Sequence, residues 1–159
     1  MMPLHLAEKL ADAIRAHGAK DYPHECCGFL VGTSHPSQTE EAGGITASPS
    51  QWALGGDTVT VARAVPAANM REDSPRNRFE IDPGELVRVD RAARAEGLGV
   101  VGFYHSHPDA PARPSEFDRE HAWPGYCYLI VSVQAGLPLG MKNWRLRDDR
   151  SQFDEDVIR

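Results

Sequence analysis

The most constraining feature of this sequence is an apolar run that ends in two histidines. Residues 98–104 are nearly continuous apolar sequence, which is typical of a buried strand, and His105 and His107 follow directly. Side chains two residues apart in a strand point to the same face. The stretch therefore predicts a buried strand that presents two imidazoles to one point.

A serine and an aspartate follow the histidines after a proline-rich bend. Ser115 and Asp118 have an i,i+3 spacing, which on a helical turn puts both side chains on one face. Two histidines and one carboxylate form a ligand set that leaves a fourth zinc position open, as catalytic zinc sites require. The alternatives are ordinary histidines near a loop acid, and Ser115 as a helix N-cap. A lone His-x-His would favour the first alternative, whereas the added serine and aspartate favour a zinc site.

A candidate base lies far upstream, at Glu25. It precedes the short apolar run 29–31, which is bounded by glycines and predicts a buried strand. Taken alone, Glu25 is better explained as a solvated turn residue than as a general base. His24 and Glu25 also begin a HExxH look-alike, but Gly28 stands where the second histidine is required, so that motif fails. The adjacent Cys26 and Cys27 are better explained as small core residues than as ligands.

Composition limits the class of protein. The chain has 159 residues, 41% of them hydrophobic, which suits one globular domain over 1–159. A net charge of −6 without a Lys/Arg cluster argues against a nucleic-acid partner. Three cysteines without a CxxC pair argue against a disulfide framework and favour a reducing cytoplasm. The sequence shows neither a signal peptide nor an apolar run long enough to span a membrane, so we expect no membrane association.

The order of the predicted elements indicates an α/β domain, a mixed sheet flanked by helices. We expect residues 33–58 to form mostly loop, and the acidic segment 148–159 to be a short extension or a frayed tail. The predicted helices cover 4–17, which ends at Gly18, 82–97, which has Asp82 as N-cap, and 115–121. The predicted strands cover 29–31, 44–47, 58–66, 79–82, 98–104, 126–133 and 141–147. A short element at 51–54 is uncertain.

Taken together, these residues resemble the JAMM motif of the MPN+ metalloprotease family. The motif is His105-x-His107-Pro108, six further residues, then Ser115-x-x-Asp118, with Glu25 on an early strand. The resemblance to short prokaryotic members extends to 23–28, 74–79, 82–83, 102–108 and 128–132. It covers roughly residues 4–147, which we take as the core of the domain. It implies a cytidine-deaminase-like α/β sandwich.

The resemblance also implies a role for each residue of the motif. His105, His107 and Asp118 would bind Zn²⁺, Glu25 would act as base on the attacking water, and Ser115 would donate a hydrogen bond to the oxyanion. Zinc deaminases, which share the fold, use His-x-Glu with Pro-Cys-x-x-Cys. Position 107 here is histidine, and Cys127 has no cysteine three residues away. The residues therefore exclude a deaminase.

The family resemblance also implies a class of substrate. Family members cleave peptide or isopeptide bonds after the Gly-Gly end of ubiquitin or ubiquitin-like proteins. Only seven residues separate Asp118 from Tyr126, which leaves little room for ubiquitin-holding insertions. A short member of this type is expected to act on a ubiquitin-like sulfur carrier and to release an amino acid such as cysteine, or a peptide. We expect segments 33–57 and 67–78 to line the substrate groove. The alternative is a zinc-binding scaffold without hydrolase activity, and the sequence leaves the oligomeric state open.

Overall fold

One mixed sheet organises the part of the chain that the computed structural model describes, residues 3–35, 58–70 and 80–159. Seven strands follow the order β1-β3-β2-β4-β5-β6-β7, and only the β1–β3 and β4–β5 pairs are parallel. The strands are β1 (Leu4–His5), β2 (Cys27–His35), β3 (Thr58–Ala67), β4 (Gly99–Pro108), β5 (Cys127–Gln134), β6 (Leu137–Leu146) and β7 (Phe153–Asp156), and the helices are α1 (Glu8–Asp21), α2 (Pro83–Arg94) and α3 (Glu116–His121).

Helices cover both faces of the sheet. Consecutive residues of the central strands point to opposite faces, and both sets of residues are apolar. Tyr104 of β4 joins the buried cluster that contains Ala11 and Ile14 of α1. Its neighbour Phe103 joins the second cluster, which contains Ala93 of α2. This arrangement confirms the predicted α/β sandwich with a mixed sheet. It also places His105 and His107, which share the parity of Phe103, on the α2 side.

Local signals for the second helix are confirmed. Asp82 caps α2 by accepting a hydrogen bond from the Gly84 amide at 3.0 Å, and Pro83 occupies the first helical turn. Gly97 lies beyond the last turn with φ of +76°, a conformation that favours glycine.

The prediction that the first helix covers 4–17 and ends at Gly18 is wrong at both ends. Leu4 and His5 pair in parallel with β3 instead, and α1 continues through Gly18 to Asp21. A Cβ on Gly18 would lie 3.0 Å from a methyl group of Val133 on β5. This glycine therefore permits close packing of α1 on the sheet, and does not end the helix.

The end of the chain is also more ordered than a frayed tail. β7 pairs with β6, and the Arg159 amide donates to the Leu4 carbonyl at 2.8 Å, so that the chain ends beside β1. β6 begins at Leu137, four residues earlier than the predicted strand.

Some predictions fall outside the described residues. These are the strand at 44–47, the element at 51–54, and most of the segments 33–57 and 67–78 that we expected to line a groove. The strand predicted at 79–82 is wrong for 80–82, which are described and lead into α2 without forming a strand. No helix among the described residues is long and apolar enough to cross a membrane.

Candidate active site

The carboxyl-terminal part of β4 positions the two histidines. β4 is the fourth of seven strands; His105 pairs with both β2 and β5, and His107 pairs with β5. The two histidines are only 1% and 7% exposed. Their Nε2 atoms lie 3.0 Å apart. The predicted convergence of the two imidazoles on one point is therefore present.

The first turn of α3 brings a carboxylate to the same point. Ser115 and Asp118 form a capping box, in which the Asp118 amide donates to Ser115 Oγ at 3.1 Å and the Ser115 amide donates to Asp118 Oδ2 at 2.8 Å. The same Oδ2 lies 3.2 Å from His107 Nε2 and 3.4 Å from His105 Nε2. The helix cap thus fixes the orientation of the aspartate toward the histidines.

These three atoms fit a tetrahedral zinc ion. Bonds of about 2.0–2.1 Å in a tetrahedral site separate the ligand atoms by about 3.3 Å, and the three separations here are 3.0, 3.2 and 3.4 Å. His107 Nδ1 lies 2.9 Å from the Pro111 carbonyl, which can only accept, so Nδ1 carries the proton and Nε2 presents its lone pair. The donor set therefore suits a divalent cation such as Zn²⁺.

Glu25 lies beside this triangle and is 3% exposed, so the solvated-turn explanation is wrong. Its Oε1 is 3.8 Å from His107 Nε2, farther than Asp118 Oδ2, and its Oε2 is buried with no hydrogen-bond partner among the described residues. Glu25, His105 and His107 also offer ligand atoms within 4.8 Å of one another, which makes Glu25 an alternative third ligand. The shorter distances from the histidine Nε2 atoms to Asp118 Oδ2 favour His105, His107 and Asp118 as the ligand set.

The electrostatics of the site suit a bound cation. Burial, together with the nearby Asp118, raises the pKa of Glu25 to about 9. Burial alone would raise the pKa of Asp118 too, but the charge of His105 and hydrogen bonds with His105, His107 and the Ser115 backbone hold it well below its usual value. Burial lowers the pKa of His105. A bound cation would favour the ionised carboxylates and the neutral imidazoles together.

A comparison with known families decides the classification. Residues 7–147 match the family model described as prokaryotic homologs of the JAB domain. The chain belongs to this family. The match confirms the membership that the JAMM-like motif of this JAB domain predicted.

Three relatives show which activities occur on similar chains. A protein of Haloferax volcanii named desampylase is 39% identical over 134 residues, covering 81% of this chain and 80% of that protein. A Thermus thermophilus protein named probable TtuB-protein conjugate cleaving protease is 39% identical over 130 residues, covering 82% and 70%. The Mycobacterium tuberculosis protein named CysO-cysteine peptidase is 29% identical over 140 residues, covering 87% and 80%.

A solved structure shows the same fold. The solution structure of a protein from Desulfitobacterium hafniense superimposes on this JAB domain with a TM-score of 0.72 and 30% sequence identity. The match covers all of this chain and 92% of that one.

Several supporting residues of this JAB domain were missed from the sequence. The Asn69 side chain donates to the Glu25 carbonyl at 3.2 Å, and Ser106 Oγ accepts from the Cys26 amide at 2.8 Å. These bonds fix the segment that carries Glu25. The position of Ser106 between the two histidines was the only sequence signal, whereas Asn69 and the Pro111 carbonyl carried none.

The cysteines fit the prediction of small core residues. Cys26 and Cys27 are fully buried and Cys127 nearly so, and all three are free thiols. Burial raises the pKa of Cys26 to about 12, which keeps the thiol protonated and makes it a poor ligand.

Proposed function

We propose that this chain is a zinc-dependent peptidase or isopeptidase. It hydrolyses the bond after the C-terminal Gly-Gly of a ubiquitin-like or sulfur-carrier protein. The observation that carries the proposal is the triangle of His105, His107 and Asp118, with the buried Glu25 beside it. The names of two relatives support the substrate class, because they describe a TtuB–protein conjugate and CysO-cysteine as what is cleaved.

In this proposal His105, His107 and Asp118 hold the metal. Bound Zn²⁺ would lower the pKa of a coordinated water to about 7 and polarise the scissile carbonyl. Pro111 and Ser115 keep two of the ligands oriented, through the 2.9 Å contact with His107 Nδ1 and the 2.8 Å bond to Asp118 Oδ2.

Glu25 moves the proton. Its carboxylate takes a proton from the attacking water and gives it to the leaving nitrogen as the carbon–nitrogen bond breaks. In the metal-free protein, burial and Asp118 raise the pKa of Glu25 to about 9 and favour the carboxyl form. A bound cation would favour the carboxylate, which the first step requires, and burial would help Glu25 to hold the proton until the second step. Asn69 and Ser106 limit its movement through the neighbouring backbone.

Ser115 binds the oxyanion in this proposal. Its Oγ accepts the capping hydrogen bond from the Asp118 amide, but a hydroxyl has one hydrogen to donate as well as two lone pairs. The N-cap and oxyanion roles, which the sequence left as alternatives, are therefore compatible. Ser115 is exposed, so a substrate can reach it.

The alternative remains a zinc-binding scaffold without hydrolase activity. Glu25 favours the enzyme. Its buried Oε2 has no hydrogen-bond partner within the described ranges, which costs free energy, and metal binding through the three other ligands does not require this carboxyl. The three free thiols favour a reducing compartment, and we include the cytoplasm in the proposal.

Separate substitutions test the proposed base and the proposed metal ligands. Glu25→Gln should keep one zinc per chain and lower kcat by about 10²–10⁴-fold, since it removes the base but no ligand. Asp118→Ala and His105→Ala should lose zinc itself. Metal analysis and turnover of a carrier extended past Gly-Gly measure both effects, with the exposed Glu8→Gln on α1 as the matched control.

Each half of this experiment can contradict one assignment. Substantial turnover by Glu25→Gln would remove Glu25 as the base. Full zinc occupancy in Asp118→Ala would show that Asp118 is not a ligand, and would favour Glu25 in its place.

A further inference from the structure

An apolar cavity adjoins the candidate active site. Its volume is about 350 Å³, and His105 and Asp118 form part of its wall. Half of the remaining wall residues carry large aromatic rings, namely Phe103, Phe117, Trp123 and Tyr128. The cavity is therefore continuous with the point where the scissile bond would lie.

The wall of this cavity is largely preorganised. Phe103 and Tyr128 project from adjacent strands of the sheet, are 5% and 7% exposed, and stack with ring centroids 5.7 Å apart. The Trp123 amide donates to the Tyr128 hydroxyl at 2.8 Å, which ties the segment after α3 to the sheet. The Trp123 side chain itself is 53% exposed. An exposed tryptophan beside buried aromatic rings is typical of the rim of a ligand pocket.

The proposed substrate leaves only one side of the scissile bond to fill such a cavity. Two glycines have no side chains, so the carrier side of the bond needs no apolar pocket. A cavity of about 150 Å³ already holds a benzene ring, so a volume of about 350 Å³ has room for one large apolar side chain and part of its backbone.

We propose that this cavity receives the side chain of the residue that follows the scissile bond, and that it selects a large apolar leaving residue. Trp123 and Phe117 are its specificity-determining residues. The inference rests on the proposed function and adds the identity of the leaving group. Glu80 in the wall strengthens the selection, because its carboxylate disfavours an acidic leaving residue.

A substrate series tests this inference. One ubiquitin-fold sulfur carrier ending in Gly-Gly is extended by a single Leu, Phe, Ser or Asp, and a fifth substrate carries an isopeptide-linked lysine. Mass spectrometry gives kcat and KM for each. We expect kcat/KM for Leu and Phe to exceed that for Ser by about 10–100-fold, the range that apolar pockets achieve, and Asp to be the poorest.

Substitutions at the rim identify the pocket. Trp123→Ala should reduce the Leu-to-Ser ratio at least fivefold, mainly through KM, and Trp123→Phe should restore most of it. Val87→Ala on α2 is the matched control, because Val87 is 54% exposed and lies outside the cavity wall. It should leave the ratio unchanged.

The outcomes separate the two proposals. Cleavage of all extensions at equal rates, or an unchanged ratio in Trp123→Ala, overturns the leaving-residue pocket and leaves the hydrolase intact. A preference for the lysine isopeptide over Leu and Phe also overturns it, since the cavity would then hold a methylene chain. Failure to cleave any carrier overturns both proposals.

Discussion

Glu25 has the most unusual environment of the candidate site residues. It is almost fully buried, close to His107 and to the negative charge of Asp118. In the metal-free protein these factors favour the protonated carboxyl. The residue therefore links the chemistry of the site to the stability of the fold.

This linkage predicts a pH dependence of stability in the metal-free protein. The pKa of Glu25 is about 9 in the folded state and 4.5 in its ordinary state. Between these values the folded state holds a proton that the unfolded state has lost, so the free energy of unfolding falls as pH rises. One proton gives a slope of about 1.4 kcal/mol per pH unit, or about 2 kcal/mol between pH 6.5 and 8.0.

Urea unfolding of the chelator-treated protein and of Glu25→Gln at both pH values measures this slope. The substitution should remove about 2 kcal/mol of the pH dependence, while the effects of His105 and the thiols cancel in the comparison. Equal pH dependence in the two proteins would show that Glu25 does not hold the extra proton.

At the residue scale, sequence spacing predicted which side chains converge when the candidate ligands are close in sequence. His105 and His107 share a face because a strand has a period of two, and Asp118 faces them because Ser115 caps a short helix. Glu25 is far from them in sequence, so the resemblance and not the spacing connected it to the site. Asn69 was missed because its contact with Glu25 depends on tertiary structure.

At the element scale, α3 is a six-residue helix whose cap is also part of the candidate site. Such a short helix has little stability of its own. The capping box and the contacts of Asp118 with the two histidines therefore depend on each other.

Ser115→Ala tests this dual role. Loss of the cap should lower the free energy of unfolding by about 0.5–2 kcal/mol, and loss of the oxyanion donor should lower kcat by about 10²–10³-fold. Asp82→Ala is the matched control, because it removes the N-cap of α2 and no group of the candidate site. Thermal unfolding, zinc content and turnover are measured for both variants.

The two variants should differ in activity but not in stability. Similar destabilisation with normal turnover in Ser115→Ala would reduce Ser115 to a structural cap. Ser115→Thr keeps both the acceptor and the hydroxyl hydrogen, and it should retain most of the activity.

Helices whose ends are set by neighbouring residues were predictable from the sequence. A helix whose ends are set by packing against distant residues was not. α2 followed from Asp82, Pro83 and Gly97, which act through hydrogen bonds and backbone conformation within a few residues. The first helix was misplaced because pairing of Leu4 with β3 and packing of Gly18 on Val133 override its apolar periodicity.

At the scale of the whole molecule, the end of the chain joins the two edges of the sheet. β7 extends the sheet beyond β6, and residues 157–159 then hydrogen-bond with Leu4 and Leu6 near β1. Ile158 forms a parallel bridge with Leu4. Contacts between the first and last residues leave no local pattern, which is why this segment resembled a frayed tail in the sequence.

The closed sheet supports the site from behind. β4 pairs with β2 from Gly99 to His105 and with β5 from Gly102 to Pro108, and buried clusters lie on both of its faces. Residues that converge on one point within about 3–4 Å need such a rigid base, because small displacements of catalytic groups are costly.

Metal content and cleavage measured together test the central claim most directly. Purified protein, with and without chelator, is offered a ubiquitin-like sulfur carrier extended past its Gly-Gly end, and the products are weighed by mass spectrometry. The proposal predicts one zinc per chain and release at the terminal glycine that stops with chelator and returns with zinc. Stoichiometric zinc without release would favour the scaffold, and release that survives complete metal removal would contradict the zinc mechanism.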